Sequence, residues 1–303
     1  MKNAIQYYYG LYPENIFQSN GSYEFDINHM HYYLTPYNRS MEELEELYRI
    51  SIQLLERQIY CHQFVFNMKR EIITVINHIP YVLMKVFITS KQNVTINDIL
   101  FFSGLTMRDT EKSLLRRNEW KKLWMEKNDY LEYQVSQFGK RYPKIRESFG
   151  YFIGLSETGI CMLNEVEEET TLVISHRRIC SKNTLFDLYN PLTFILDYKE
   201  RDIIEFWKSE VLNESFLLED FKKFMEMLSL NKNEMIRLFA RSFYPTFYFD
   251  KYEQIIDYHE NEEILNEVLD KISIYEAFLK FLYFYVRERA LFPDMIWLTK
   301  SIG

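Results

Sequence analysis

The stretch whose reading decides the fold is TLVISHRRICSKNTLFDLYNPLTFILDY, residues 171–198. Its opening run, Thr171 to Ser175, is rich in β-formers and predicts a strand ending at His176. Thr184 to Leu188 reads as a second strand. The turn residues Asn190 and Pro191 then introduce a third, Leu192 to Leu196, which delivers Asp197 at its end. A His at a strand end, an Asn seven residues later and an Asp after an apolar strand form the one constellation in the chain with the look of a site.

Outward from this stretch, the pattern becomes helical on both sides. Residues 203–296 read as helices throughout. Upstream, Asn93 or Thr95 caps a short helix over Leu100 to Gly104. Asp109 or Thr110 opens a long one carrying Leu114, Trp120, Leu123, Trp124, Tyr130, Leu131 and Val135, and Pro143 breaks it. Ile145 to Val166 follows on a helical period. The first ninety residues differ. Tyr23 to Ile27 and His31 to Tyr37 read as strands around a turn at Asn28, His29 and Met30. Ser40 and Glu43 form a capping-box pattern before a helix bearing Leu44, Leu47, Ile50, Leu54 and Leu55. Phe64 to Phe66, Ile72 to Ile76 and Tyr81 to Phe87 complete a five-stranded antiparallel sheet. The chain therefore divides into a β-rich lobe with one helix, residues 1–88, and a helical lobe, residues 89–303, that contains the 171–198 segment.

Composition narrows the function. The chain has 303 residues, 47% of them hydrophobic, with 24 Tyr and 24 Phe, which excludes a disordered protein. Lys and Arg number 36 against 44 Asp and Glu, a net charge of −8, so a nucleic acid is not an expected partner. No apolar run approaches the roughly 20 residues that span a bilayer, so no membrane is expected. The N-terminal residues Met1 to Tyr7 lack an apolar signal core, and the expectation is that the chain stays where it is made. Three cysteines, Cys61, Cys161 and Cys180, fit no zinc spacing and read as reduced thiols. Only eight glycines occur, with none between Gly159 and Gly303. Neither G-x-G-x-x-G nor G-x-x-x-x-G-K-[ST] is present, so the loops that usually cradle phosphates are missing.

Residues 171–198 resemble the catalytic segment of the aminoglycoside phosphotransferase and choline kinase branch of the kinase-like fold. That pattern is H-x-D-x-x-x-x-N, two short strands, then an apolar strand ending in Asp. His176, Asn183 and Asp197 fall on its positions, while Arg178 stands at the catalytic Asp. The lobe order and the crossover near Met84 to Ser90 are similar too. More narrowly, Trp120 and Trp124, Asp129 to Glu132, Tyr151 to Glu157 and Arg201 to Phe206 resemble the spore-coat branch. This is the CotS group of endospore-forming bacteria, with its YutH-type members nearest. The resemblance implies an α+β, two-lobe protein-kinase-like fold, with a small antiparallel-sheet N-lobe and a large helical C-lobe. It also implies synthesis in the mother cell, deposition on the spore coat and other coat proteins as partners.

Phosphoryl transfer needs a carboxylate to orient the nucleophile, a Lys on the phosphates, and metal held by Asn and Asp. Arg178 cannot accept a proton near neutral pH. The phosphate Lys should lie on the strand His31 to Pro36, where Thr35 holds its position, and no Lys occurs from Asn3 to Met68. Arg39 is the nearest cation but lies beyond the strand. The expectation is a pseudokinase with a degenerate loop at His176, Arg178 and Asn183 and a vestigial metal pair, Asn183 and Asp197. It needs no cofactor. Arg178 is expected to fold toward Asp197 or another cleft carboxylate and take the metal's place. The alternative is an active small-molecule phosphotransferase using Mg²⁺ and ATP, with Asp187 or Asp202 as displaced base.

Other features have plainer readings. Asp197 can equally cap the helix beginning near Asp202, and Asp202 itself reads as an N-cap. His29 and His31 share a strand face but have no third ligand nearby. Cys180, between Arg178 and Lys182, reads as a structural thiol. The aromatic run Phe239 to Phe249 and the stripe Phe278, Phe281, Leu282, Tyr285 read as core. The acidic run Glu165 to Glu169 reads as a solvated loop.

Overall fold

The computed structural model describes all residues except 20, 108–109, 167–170, 291–293 and 300–303. In chain order its elements begin with α1 (Lys2–Tyr9), β1 (Phe17–Ser19), β2 (Ser22–Ile27), β3 (Met30–Pro36), α2 (Met41–Glu56), β4 (Gln63–Val65), β5 (Ile73–Ile76) and β6 (Ile79–Val86). The helical part opens with α3 (Ile96–Ser103), α4 (Trp120–Phe138) and α5 (Pro143–Met162). A two-stranded unit follows, β7 (Val173–His176), α6 (Leu185–Leu188) and β8 (Phe194–Asp197). The rest comprises α7 (Glu200–Leu212), α8 (Leu218–Met227), α9 (Lys232–Phe243), α10 (Thr246–Tyr258), α11 (Asn266–Leu269), α12 (Ile272–Ala290) and α13 (Ile296–Thr299).

The N-terminal sheet has six strands rather than five, in the order β1-β2-β3-β6-β4, with β5 also paired to β6. Two hairpins set its register. Asn28 and His29 have φ of 50° and 64°, and Asn77 and His78 have 50° and 66°. Paired left-handed residues of this kind twist a two-residue turn to match its strands, and Asn tolerates the conformation well. The sheet buries both faces. Leu34 and Leu83 meet Phe25 and Ile5 of α1 on one side, while Val82 and Met84 join α2 on the other. The added elements, α1 and β1, are too short for their pattern to stand out; β1 is exposed at all three residues.

α2 packs through Leu44, Leu47, Ile50 and Leu54, each a burial of about 1.5–3 kcal/mol. Ser40 caps it by accepting from the Glu43 N–H at 3.1 Å. Glu43 does not complete the expected box. Its carboxylate turns to Arg39 and Arg117, since two guanidiniums outbid one backbone N–H.

The long helix expected from Asp109 or Thr110 begins at Trp120 instead; Asp109 lies outside the described residues. Backbone pairing explains the delay. Leu115 O accepts from Leu196 N and Leu196 O accepts from Arg117 N, both at 2.9 Å, so this segment runs beside β8. Thr184 to Leu188 is likewise no strand. Thr184 and Asp187 form a capping box that starts the one-turn α6. Of the acidic run, residues 167–169 lie outside the described residues.

The C-terminal core is aromatic, as the Phe239 and Phe278 runs suggested: Phe239, Phe243, Phe278 and Leu282 are all buried. Helices α5 and α9 cross closely at Gly159, where an added Cβ would meet Ala240 O at 2.7 Å. At Gly154 the same carbon would meet nothing within 4 Å. Gly159→Ala should therefore destabilise the protein by about 1–3 kcal/mol through overpacking. Gly154→Ala should leave it unchanged or stabilise it by up to about 1 kcal/mol. Urea denaturation of the two variants beside the wild type measures the difference.

Candidate functional site

The antiparallel pair β7–β8 aligns Val173 with Asp197 and His176 with Phe194. The pairing thus puts Asp197 and His176 at opposite ends of the same ribbon, and α7 starts three residues after Asp197. A helix entering so soon brings Arg201 and Asp202 back against the strand ends.

Asp197 is fully buried. Its Oδ1 accepts from Trp120 Nε1 and from its neighbour's N–H, Tyr198, each at 2.8 Å. Its Oδ2 accepts from Arg201 Nη1 at 2.7 Å. Burial pushes the Asp197 carboxyl up from its ordinary range, against the pull of Arg201 and then Arg241. Arg201 also donates Nε and Nη2 to the carbonyls of His176 and Arg177, both at 3.3 Å. Asp197 is no helix cap; α7 has none from a side chain.

Asp202 is not an N-cap either. It sits inside the first turn of α7 and accepts from the His176 backbone N–H at 3.1 Å and the ring Nδ1 at 2.7 Å. The other ring nitrogen donates to Leu188 O at 2.9 Å. His176 is consequently a buried structural tie between β7, α6 and α7. Asn183 accepts from Cys180 N–H at 2.7 Å through Oδ1 and so closes the loop locally. Asp187 is engaged by the N–H and hydroxyl of Thr184.

Arg178 reaches a carboxylate, but not that of Asp197, which Arg201 holds. Arg178 Nη2 meets Asp250 Oδ1 at 2.7 Å and Nε meets Oδ2 at 2.9 Å, at the start of the helical surface of α10. The pair is open to solvent, with the Arg178 side chain 63% exposed. Thr35 in β3 lies in register with Val82, and its hydroxyl shares a hydrogen bond with Ser22 Oγ at 2.9 Å. Arg39 pairs with Glu43 and also donates to the carbonyls of Leu192 and Phe194.

For a divalent ion, the fit of Asn183 and Asp197 is poor. Each has its oxygens directed at protein donors, and a hard cation needs several free oxygens around it. Among the described residues, no group of three or more His, Cys, Asp or Glu could hold a metal. His31 lies between Asp26 and Glu24, at 2.9 and 3.4 Å, while His29 occupies the hairpin turn rather than the strand face.

Two cavities flank Arg177 and Arg178. One, of about 290 Å³, is walled by Trp124, Arg117, Arg241, Tyr244 and Asp250. Trp124 stacks between Trp120 and Tyr244 at centroid distances of 5.5 and 4.4 Å. The other, of about 240 Å³, reaches Cys180, Asn183, Glu205 and Lys208. Glu205 accepts from Lys208, Arg241 and Thr246. Burial opposes its charge, but Lys208 and Arg241 outweigh burial and hold its carboxyl down at about 2. Burial pushes Lys208 the other way, down to about 8. The partners Arg201, Asp250 and Glu205 were not picked out as site residues from the sequence. Arg201 alone left a signal there, its i,i+4 spacing from Asp197.

Comparison with known proteins agrees with this architecture. A family model described as "Spore coat putative kinase YutH" matches residues 2–282. The chain is 26% identical over 340 residues to the "Endospore coat-associated protein YutH" of Bacillus subtilis (strain 168), with 99% of each covered. In three dimensions it resembles an aminoglycoside phosphotransferase from Alicyclobacillus acidocaldarius, with a TM-score of 0.66 at 9% identity. That match covers 95% of this chain and 97% of the other. The choline kinase LicA from Streptococcus pneumoniae gives a TM-score of 0.52 at 11% identity, covering 91% and 97%. The two-lobe kinase-like fold expected from residues 171–198 is the fold of this chain.

Asp197→Asn should cost about 3–5 kcal/mol, because Arg201 then stays buried without its counter-charge. Urea midpoints measure this, and Mg²⁺ should shift the wild-type midpoint no more than an equal ionic strength of Na⁺. Glu205 supplies a pH test. Its folded carboxyl lies below its unfolded value of 4.5, so its stabilisation is full above that pH and is lost as pH falls through about 2. Glu205→Gln should flatten the acid limb of stability in that window, where the wild type loses roughly 3 kcal/mol more than the variant.

Proposed function

The chain belongs to the family described as spore coat putative kinase YutH, and from that premise we propose that it is a non-catalytic, kinase-folded protein of the spore coat. It is made in the mother cell, deposited on the coat, and acts there through contacts with other coat proteins. The observation that carries this reading is the engagement of Asp197. A catalytic Asp at this point would present an oxygen to Mg²⁺. Here Trp120, Arg201 and the Tyr198 N–H take both oxygens of a carboxylate with no exposed surface.

Three further observations support it. Arg178 stands where a proton acceptor is required and is paired with Asp250. The carboxylates that could replace it, Asp187 and Asp202, are committed to Thr184 and His176. No Lys is available from residues 3–68 to meet phosphates, and Thr35 is hydrogen-bonded within the sheet. The name of the Bacillus relative supports association with the coat. Among the described residues no helix is long and apolar enough to cross a membrane.

Losing one Lys–phosphate contact removes on the order of 2 kcal/mol and weakens nucleotide binding about thirty-fold. Calorimetry should therefore find Mg-ATP binding weaker than micromolar, and aminoglycoside, choline and sugar acceptors should remain unphosphorylated. Micromolar binding together with phosphotransfer that vanishes in Asp197→Ala would replace this reading with an active enzyme.

A further inference from the structure

The charges around the 177–178 loop do not balance. Arg39 and Arg117 both pair with the single carboxylate of Glu43, at 3.0 Å each. Arg177 faces the same group, yet its guanidinium has no hydrogen bond or ion pair among the described residues. Desolvation and then Arg39, Arg117 and Arg178 hold the Arg177 guanidinium below its ordinary range, while Glu43 alone opposes them. Arg39 and Arg117 thus share one carboxylate and Arg177 adds a third guanidinium beside them, in a chain whose net charge is −8. The local excess runs against the composition. It also lies at a concave place, since Arg177 lines both cavities beside the loop. The larger recess carries the cations Arg117, Lys127, Arg177, Arg178, Arg201 and Arg241 against the two carboxylates Asp250 and Glu253, and a recess in which one sign predominates concentrates counter-ions of the other.

We propose that the 290 Å³ cavity bordered by Arg117, Arg177, Arg178 and Arg241 binds a small oxyanion of the phosphate class, such as pyrophosphate or a compact phosphate ester. The size argues for a small molecule, since it lies at the lower limit of about 300 Å³ for ligand pockets. The charge argues for a dianion: a phosphate ester carries about −1.5 to −2 at neutral pH, which matches the two guanidiniums that Glu43 leaves uncompensated. The donor type argues the same way, because the planar guanidinium fork suits bidentate phosphate oxygens. This site uses loop arginines and no strand Lys. It goes beyond the non-catalytic reading and does not depend on it, so its failure would leave that reading intact.

Calorimetry of the full chain with sodium pyrophosphate, without metal and against sodium chloride of equal ionic strength, tests the proposal. We expect a submillimolar dissociation constant and a higher thermal midpoint than chloride gives. Arg177→Ala should weaken binding by roughly tenfold or more, the loss of one charge-assisted hydrogen bond. Because the Arg177 side chain has no hydrogen bond or ion pair among the described residues and sits among other arginines, its removal should not lower the ligand-free urea midpoint. Arg141→Ala, which removes an exposed cation elsewhere, should bind as the wild type does. The proposal is overturned by pyrophosphate acting no differently from chloride, or by equal weakening in the two variants. It is also overturned if an oligoglutamate peptide binds in an Arg177-dependent way and pyrophosphate does not.

Discussion

A carboxylate with no exposed surface must have its charge answered nearby, and for Asp197 the answer is Arg201 at 2.7 Å. Leaving such a charge alone would cost several kcal/mol. Much of the C-terminal architecture follows from meeting that demand. Helix α7 must begin immediately after β8, so that Arg201 falls one turn from Asp197. The remaining donors of Arg201 then hold the carbonyls of His176 and Arg177, which fixes the end of β7. Trp120 approaches from the start of α4, so three elements meet at one acid group. Its indole ring stacks on Trp124, and Trp124 on Tyr244, linking the acid group to the aromatic core.

A divalent cation and a guanidinium both neutralise carboxylates, with different consequences. Mg²⁺ keeps several waters and exchanges its partners, which lets phosphate oxygens enter its shell. A guanidinium is covalently tethered, always charged, and directs its donors along fixed lines. In this protein guanidiniums answer the acids: Arg201 answers Asp197, Arg237 answers Glu200, Arg241 answers Glu205, and Arg178 answers Asp250 at the rim. The result is a cleft whose charges are satisfied by the chain itself, apart from the surplus beside Arg177. Static compensation of this kind stabilises one arrangement of the loop.

The elements legible in the sequence were those set by local chemistry. The hairpin at Asn28 and His29, the cap at Ser40, the helix break at Pro143 and the strands on either side of residues 177–193 all follow from turn residues, capping oxygens and β-branched runs. Those decided at long range were not. Leu114, Trp120, Leu123 and Trp124 were read on one helix, but the segment before Trp120 pairs with Leu196 instead, and the backbone hydrogen bonds gained there override the pattern. Thr184 to Leu188 is β-rich in composition, yet Thr184 and Asp187 offer a capping box, and a short helix needs little else. At the site, the spacing located His176, Asn183 and Asp197. It could not name their partners, because Asp250 lies 72 residues from Arg178 and its surroundings read as an aromatic core. Arg178 was expected to meet Asp197 or another cleft carboxylate; Arg201 holds Asp197, and Arg178 meets Asp250.

The same kind of compensation pins the two lobes together. Glu43 on α2 is held by Arg39 and by Arg117, whose backbone runs along β8 in the other lobe. Arg39 continues across to the carbonyls of Leu192 and Phe194. Just before β4, His62 is fully buried: its backbone N–H donates to Tyr189 O and its ring Nε2 to Phe186 O, each at 3.0 Å. Burial pushes the His62 imidazole down to about 4, so it remains a neutral tie at physiological pH. Phe186 packs edge-on to Tyr33 at 5.2 Å. A working kinase opens and closes its lobes to exchange nucleotide, and its interlobe contacts must be weak enough to break on that timescale. Here one carboxylate, two guanidiniums, a neutral imidazole and an aromatic pair span the gap, several of them partly or wholly out of water. Opening would expose or unpair each of them at once. That cost favours one closed arrangement of the lobes, which suits the proposed role in lasting contacts with neighbouring proteins.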